Sequence, residues 1–282
     1  MKAFLGMGLL GSNFVKAMLK KGDEVQVWNR TYSKAKQLEE FGAKSFENMA
    51  DAVRGAEIVH LTLKDDAAVN EVLDKASAGF SPGTIIIDHT TTSKEGAIDR
   101  TKYWSDKGFP YQHAPVFMGP PNALESTGHM LISGDPVLAA KLQPHLSKMT
   151  GELINFGGEV GKAAAMKLIG NSFLVCFTGG IRDTLLLAKA LGVANGEVIN
   201  LFQSWNPGSS LAARLKRITS GEYSTPSWGL AMARKDTGIF LRSLETANLN
   251  ASLLPVIAQV MDYWISKGHG EDDWSIIAKD AV

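Results

Sequence analysis

A single cysteine, Cys176, stands in 282 residues. One thiol cannot close a bridge within the chain, and a composition this poor in cysteine suits a reducing compartment. With Phe173, Leu174, Val175 and Phe177 around it, Cys176 is expected to be a small core hydrophobe. Net charge is also absent, since 29 Lys and Arg balance 29 Asp and Glu. Without a basic surplus, neither nucleic acid nor an anionic membrane surface is an expected partner. No unbroken run of about 18 apolar residues occurs, so no transmembrane span is expected. The N-terminus runs directly into a short apolar segment without signal-peptide architecture, and the cytoplasm is the expected location. The six histidines, at 60, 89, 113, 129, 145 and 269, show no metal-ligand spacing, so no metal site is assigned. What is left is ordinary for a globular protein: 45% hydrophobic and 21% charged residues, in a chain long enough for one large or two medium domains.

The first half carries a recognisable pattern. Ala3-Phe4-Leu5 reads as a buried strand running into Gly6-Met7-Gly8-Leu9-Leu10-Gly11. A helix is expected next, with Phe14, Val15, Met18 and Leu19 on one side. Strand, G-x-G-x-x-G and helix together are the context a dinucleotide fingerprint requires. Gly6 permits a tight turn, Gly8 lets backbone approach a pyrophosphate, and Gly11 lets helix and strand pack closely. The helix N-terminus then offers free N–H groups and a positive dipole to phosphates.

Glu24 to Trp28 is expected to be the second strand, and the ribose-reading position lies at its end. An acidic residue there would accept from a 2′-hydroxyl. This chain has Asn29-Arg30-Thr31 instead. A guanidinium can pair bidentately with a 2′-phosphate, with Asn29 and Thr31 donating beside it, so NADP is expected in preference to NAD. Strands are expected at 58–63 and 84–87, and helices at 67–76 and 94–107. That alternation implies a parallel sheet with crossover helices, and ligands bind beyond the carboxyl ends of such strands. Leu63-Lys64-Asp65-Asp66 is placed to flank a nicotinamide there. Asp88 to Ser93 offers hydroxyls to a ribose or carboxamide, or caps the following helix through Thr92 or Ser93. Residues 111–118 are expected to be one extended segment, followed by a strand at 129–133, a helix at 137–149 and a last strand at 152–156.

From Gly158 the sequence becomes Gly-Glu-Val-Gly-Lys, then a small-residue helix with Lys167 and Asn171 four apart on one face. A lysine in this setting is either a snorkelling surface residue or a desolvated acid–base group. After about residue 160 no strand pattern recurs. A long helix is expected to about 191, with Gly179 and Gly180 able to bend it. Arg182 and Asp183 form either a buried or interface pair or an ordinary solvated face. Trp205 to Ser210 is a turn-rich interhelical segment, followed by helices at 232–249 and 253–267.

These blocks, in this order, resemble the β-hydroxyacid dehydrogenases, a likeness that runs essentially end to end. It rests on the Gly6 to Gly11 fingerprint, the Asp88 to Thr92 loop, Gly158-x-x-Gly161 running to Lys167 and Asn171, and Lys235-Asp236. The resemblance implies an α/β fold: an N-terminal Rossmann domain with a doubly wound parallel sheet (1–157, NADP-binding) and an all-helical domain (158–282, substrate and dimerisation), joined by a long helix. It implies that Lys167 is catalytic and Asn171 orients substrate. It also implies that Thr91 and Lys235 contact the cofactor, that Asp236 lies near the substrate, and that the chain forms a homodimer or homotetramer. One block departs. Where the family carries Asp-x-Pro-Val-Ser-Gly-Gly to grip a carboxylate, this chain reads His113-Ala114-Pro115-Val116-Phe117-Met118-Gly119. A substrate lined by Phe117, Met118 and Gly119 is expected to be larger or less polar. The implied activity is NADP-dependent hydride exchange with a small-molecule carbonyl or alcohol. Two alternatives stand beside it: reduction of an imine, although imine reductases usually place Asp or Tyr where Lys167 stands, and an inactive cofactor-binding scaffold.

Overall fold

The computed structural model describes residues Met1–Val282. In chain order the first part runs β1 (Lys2–Leu5), α1 (Leu9–Lys20), β2 (Val25–Trp28), α2 (Tyr32–Lys36), β3 (Lys44–Phe46), α3 (Met49–Val53), β4 (Ile58–Leu61), α4 (Asp66–Ala76), β5 (Ile85–Asp88), α5 (Lys94–Asp106) and β6 (Tyr111–His113). These six strands form one parallel sheet in the order β3-β2-β1-β4-β5-β6. The order reverses between β1 and β4, which is the switch point where a doubly wound sheet opens a ligand crevice. Successive residues face opposite layers, as the period-2 pleat demands. Phe4, Val27, Ile85 and Ile87 enter one apolar core, while Ala3, Leu5, Val59 and Ile86 enter the other. Burial on both faces is what a parallel sheet requires.

A second sheet of three strands follows: β7 (Val116–Phe117), then α6 (Pro120–Glu125), β8 (His129–Ile132), α7 (Pro136–Leu146) and β9 (Glu152–Asn155). Residues 111–118 are therefore not one strand. The segment breaks at Ala114-Pro115 and serves two sheets: Ala114 N–H still bonds Asp88 C=O (2.7 Å), and Pro115 C=O already accepts from Leu131 N–H (2.8 Å). A proline has no N–H to continue a ladder, so the change of sheet falls there. The elements α2, β3, α3 and α6 were not foreseen. Each has three to six residues, too short to show a period.

The remainder is helical: α8 (Lys162–Ala190), α9 (Asn195–Ser204), α10 (Leu211–Ser220), α11 (Leu230–Thr246) and α12 (Leu254–Ser266). The chain divides into two compact units, Met1–Asn171 and Ser172–Val282, so the division falls inside α8. Within the second unit, Tyr223, Leu230, Ala233, Met261 and Ile276 form the core. Asp183 is buried and accepts from the N–H groups of Ser252 (2.7 Å), Leu253 (2.7 Å) and Leu254 (3.0 Å) at the start of α12. Arg182, itself exposed, pairs with it at 3.3 Å, so the carboxylate of this pair is buried while the guanidinium stays in solvent. A Cβ on Gly179 would lie 3.0 Å from Leu253 Cδ1, so this glycine admits a close neighbour.

One expectation fails on α8. By length and composition alone this helix is apolar enough to cross a membrane. Interleaved Gly170, Asn171, Ser172 and Thr178 hide this from a search for unbroken apolar runs. Cys176 is exposed, not a core residue. Phe173, Leu174, Val175 and Phe177 around it are exposed as well.

Candidate active site

The glycine turn after β1 divides its work as its residue types predict. Gly6 has φ +101°, and a Cβ there would sit 2.2 Å from Thr62 C=O. A Cβ on Gly11 would sit 2.0 Å from Gly6 C=O, so bare backbone is needed for α1 to pack on the turn. Gly8 has nothing within 4 Å on its open side, and it precedes α1 without a side-chain cap. An unobstructed backbone at the start of a 12-residue helix fits a pyrophosphate. Met7 is buried, Leu10 packs on the core, and Leu9 points outward.

Asn29 has a second task inside the turn. Its Oδ1 accepts from Met7 N–H (2.9 Å) and its Nδ2 donates to Thr31 C=O (2.9 Å). The side chain therefore braces the turn with one of its two Nδ2 protons, and the other is left for a ligand. Arg30 and Thr31 are exposed beside it, and Arg30 forms no ion pair.

The loops after β4 and β5 are cross-linked. Leu63 N–H donates to Thr90 Oγ1 (3.0 Å), and Ser93 N–H donates to Asp66 Oδ2 (2.9 Å). Ser93 also caps α5 by accepting from Gly96 N–H (3.0 Å). Behind both loops stands Arg100, 4% exposed. It lies 2.8 Å from Asp66 and 3.9 Å from Asp88, and donates to Tyr111 Oη at 3.0 Å. Tyr111 in turn donates to Asp88 Oδ2 (2.6 Å). This frame was not foreseen, although its signal was present: Arg100 lies on the apolar stripe of α5 with Ala97 and Trp104. Thr91 and Lys64 stay exposed on the two braced loops, and Lys64 has only Asp65 at 3.6 Å.

A second buried set lies within the sheet. His89 Nδ1 meets Ala114 C=O (2.8 Å), so it carries the proton and leaves Nε2 as an acceptor. His60 Nδ1 must then donate to His89 Nε2 (3.0 Å), and His145 Nε2 must donate to His60 Nε2 (2.9 Å). All three imidazoles are neutral in this chain. Burial pushes His60 well down, and takes His89 and His145 to about 4. No group of three His, Cys, Asp or Glu is arranged to hold a metal ion.

Lys167 is 8% exposed. Its Nζ donates to Asn171 Oδ1 (3.0 Å) and stands 4.3 Å from the centre of the Phe117 ring. It makes no ion pair, and burial alone lowers its pKa. The side chain is therefore buried and does not snorkel to solvent. Of the three residues expected to face substrate, only Phe117 meets the lysine. Met118 packs against the Rossmann core, and Gly119 N–H bonds Asn122 Oδ1 (2.9 Å) at the start of α6. In the second unit, Lys235 and Asp236 lie on α11 and pair with each other at 2.9 Å.

Residues 2–158 match the profile described as the NAD binding domain of 6-phosphogluconate dehydrogenase. The chain is 32% identical to glyoxylate/succinic semialdehyde reductase 2, chloroplastic, of Arabidopsis thaliana, over 97% of this chain and 77% of that protein. It belongs to the β-hydroxyacid dehydrogenase family. As such it is an NAD(P)-dependent oxidoreductase with a Rossmann domain. The same fold recurs in an imine reductase from Myxococcus stipitatus in complex with NADP+, with a TM-score of 0.92 at 21% identity and all of both chains covered. The V8 variant of that enzyme in complex with NAD+ gives a TM-score of 0.88 at 20% identity, covering 100% of this chain and 99% of that one.

Proposed function

We propose that this β-hydroxyacid dehydrogenase relative is an NADP-dependent reductase that interconverts a carbonyl and an alcohol on a substrate more apolar than a small hydroxy acid. One observation carries the reading: Lys167 is a buried cation with no carboxylate partner, held by Asn171 at 3.0 Å. Bound nicotinamide supplies the hydride. Lys167 gives a proton to the substrate oxygen in reduction and takes one in oxidation, and burial brings its pKa down towards the working pH. Asn171 fixes the ammonium by accepting a hydrogen bond from it. The Gly6 to Gly11 backbone binds the pyrophosphate, and Leu63, Lys64 and Thr91 lie along the braced loops beyond the sheet. Arg30, exposed and without an ion pair at the end of β2, takes the 2′-phosphate, with Thr31 beside it. The missing carboxylate at 29–31 supports NADP over NAD. Lys235 is assigned to cofactor and Asp236 to substrate by family likeness. The exposed apolar face of α8, with Ile169 61%, Leu174 52% and Val175 73% exposed, supports a homodimer or homotetramer in which another copy covers it.

Imine reduction is the second reading. It is supported by the Phe117 ring at the lysine, and disfavoured by the lysine itself. Lys167→Ala should lower carbonyl turnover by about 10²–10⁴-fold while NADPH affinity changes little. The check is steady-state turnover of succinic semialdehyde and of a cyclic imine, beside NADPH binding by fluorescence. Unchanged aldehyde turnover in Lys167→Ala overturns the proposal. Faster turnover of the imine promotes the second reading. Tight NADPH binding with no oxidation by either substrate marks an inactive scaffold.

A further inference from the structure

Gly170 stands inside α8, where a glycine destabilises the helix relative to alanine. Its place has a cause. A Cβ at 170 would lie 2.3 Å from Phe117 Cζ and 2.7 Å from Cε1, so the ring tip rests on bare helix backbone. The same ring presents its face to Lys167, with Nζ 4.3 Å from the ring centre. One missing side chain on α8 thus seats an aromatic from β7 against the buried cation one turn away.

An ammonium has three N–H donors. In Lys167 one is taken by Asn171 Oδ1 and one side is closed by the π-face of Phe117. A single donor direction remains for a ligand oxygen. The negative ring face favours the ammonium over the amine, and more strongly away from water. It therefore opposes the burial that favours the amine. The ionisable groups on the neighbouring elements are engaged elsewhere. Lys162 on α8 pairs with Glu159 (3.5 Å), His113 on β6 donates from Nε2 to Thr90 C=O (2.9 Å) and has its pKa lowered by burial, and Asp88 on β5 accepts from Tyr111.

We infer that Phe117, seated on Gly170, is a positioning residue that holds Lys167 in its protonated form and aims its one free N–H at a neutral carbonyl oxygen. The inference rests on Lys167 being the acid of the proposed reaction. It adds the consequence that the ring sets the pH range over which the site reduces. Reduction uses the ammonium, so turnover falls as pH rises through the lysine's midpoint. Removing the ring moves that fall to lower pH.

The test follows Lys167 directly. In protein labelled with 13C at lysine Cε and saturated with NADP+, the Lys167 resonance is assigned by its absence in Lys167→Ala and titrated against pH. In Phe117→Leu the midpoint should drop by about 0.5–1.5 pH units. The alkaline limb of aldehyde reduction should move with it, while KM for NADPH holds. Gly170→Ala displaces the ring and should give the same sign. Thermal melting supplies a second arm: Gly170→Ala should lower the melting temperature when Phe117 is present and raise it in a Phe117→Ala background. An unmoved Lys167 midpoint in Phe117→Leu, with Lys167→Ala still inactive, overturns this inference and leaves the proposed reaction standing. Full activity in Lys167→Ala removes the reaction itself. The same Gly170→Ala effect in both backgrounds removes the seating argument.

Discussion

The first unit buries two kinds of ionisable group, and the contrast between them is instructive. His60, His89 and His145 form a closed chain in which five of the six ring nitrogens have a partner and each proton has an assigned place. Arg100 is balanced by charge instead, with Asp66 at 2.8 Å and Asp88 at 3.9 Å and with Asn70 and Tyr111 accepting from it. Lys167 is as well shielded from water, yet it has one hydrogen-bond partner, one ring and no counter-charge. Burial perturbs all of them, so perturbation by itself does not mark chemistry. A buried cation without a counter-charge does.

That comparison is sharpest at Arg100. Arg100→Met strands Asp88, which is fully buried, and should lower unfolding free energy by about 3–5 kcal/mol in urea titrations. Lys167→Met strands no opposite charge and should leave stability unchanged or raised; equal losses for the two would break the distinction. The histidine chain gives the next effect. Its folded pKa values lie below that of a free imidazole, about 4 against 6.5 for His89 and His145. The unfolded chain then binds more protons between those values, so stability is full above about pH 6.5 and falls as pH drops towards 4. Each of these two imidazoles should contribute roughly 3 kcal/mol to that fall. Urea midpoints at pH 7 and pH 4.5 measure it, and a flat profile would mean the imidazoles are not held neutral. The smallest effect belongs to an open surface group. Arg30→Ala should reduce the kcat/KM preference for NADPH over NADH by about 10–100-fold, the worth of a charge-assisted hydrogen bond. An unaltered preference would place the 2′-phosphate elsewhere.

Much of this was legible in the chain. The glycine turn was, because three successive glycines have three separate steric causes. The parallel order was, because strand and helix patterns alternate. Lys167 with Asn171 was, because their spacing puts them on one helix face. What the sequence concealed was pairing at a distance. Nothing local announces that Asn29 braces Met7 and Thr31 or that Gly170 makes room for Phe117, whereas Pro115 did mark the break in 111–118. The apolarity of α8 lies in an average and in exposed faces, where a search for unbroken runs does not look.

The amide of Asn29 has a last implication, for how easily cofactor choice can drift. An aspartate there could still accept from Met7 N–H, but it has nothing to offer Thr31 C=O, and its charge would stand beside a cradle meant for phosphates. The single-step exchange that would recruit a free ribose hydroxyl thus also loosens the turn beneath the pyrophosphate. On the proposed cofactor reading, selectivity and loop folding meet at one side chain, so a lineage that changed the first would have to repair the second.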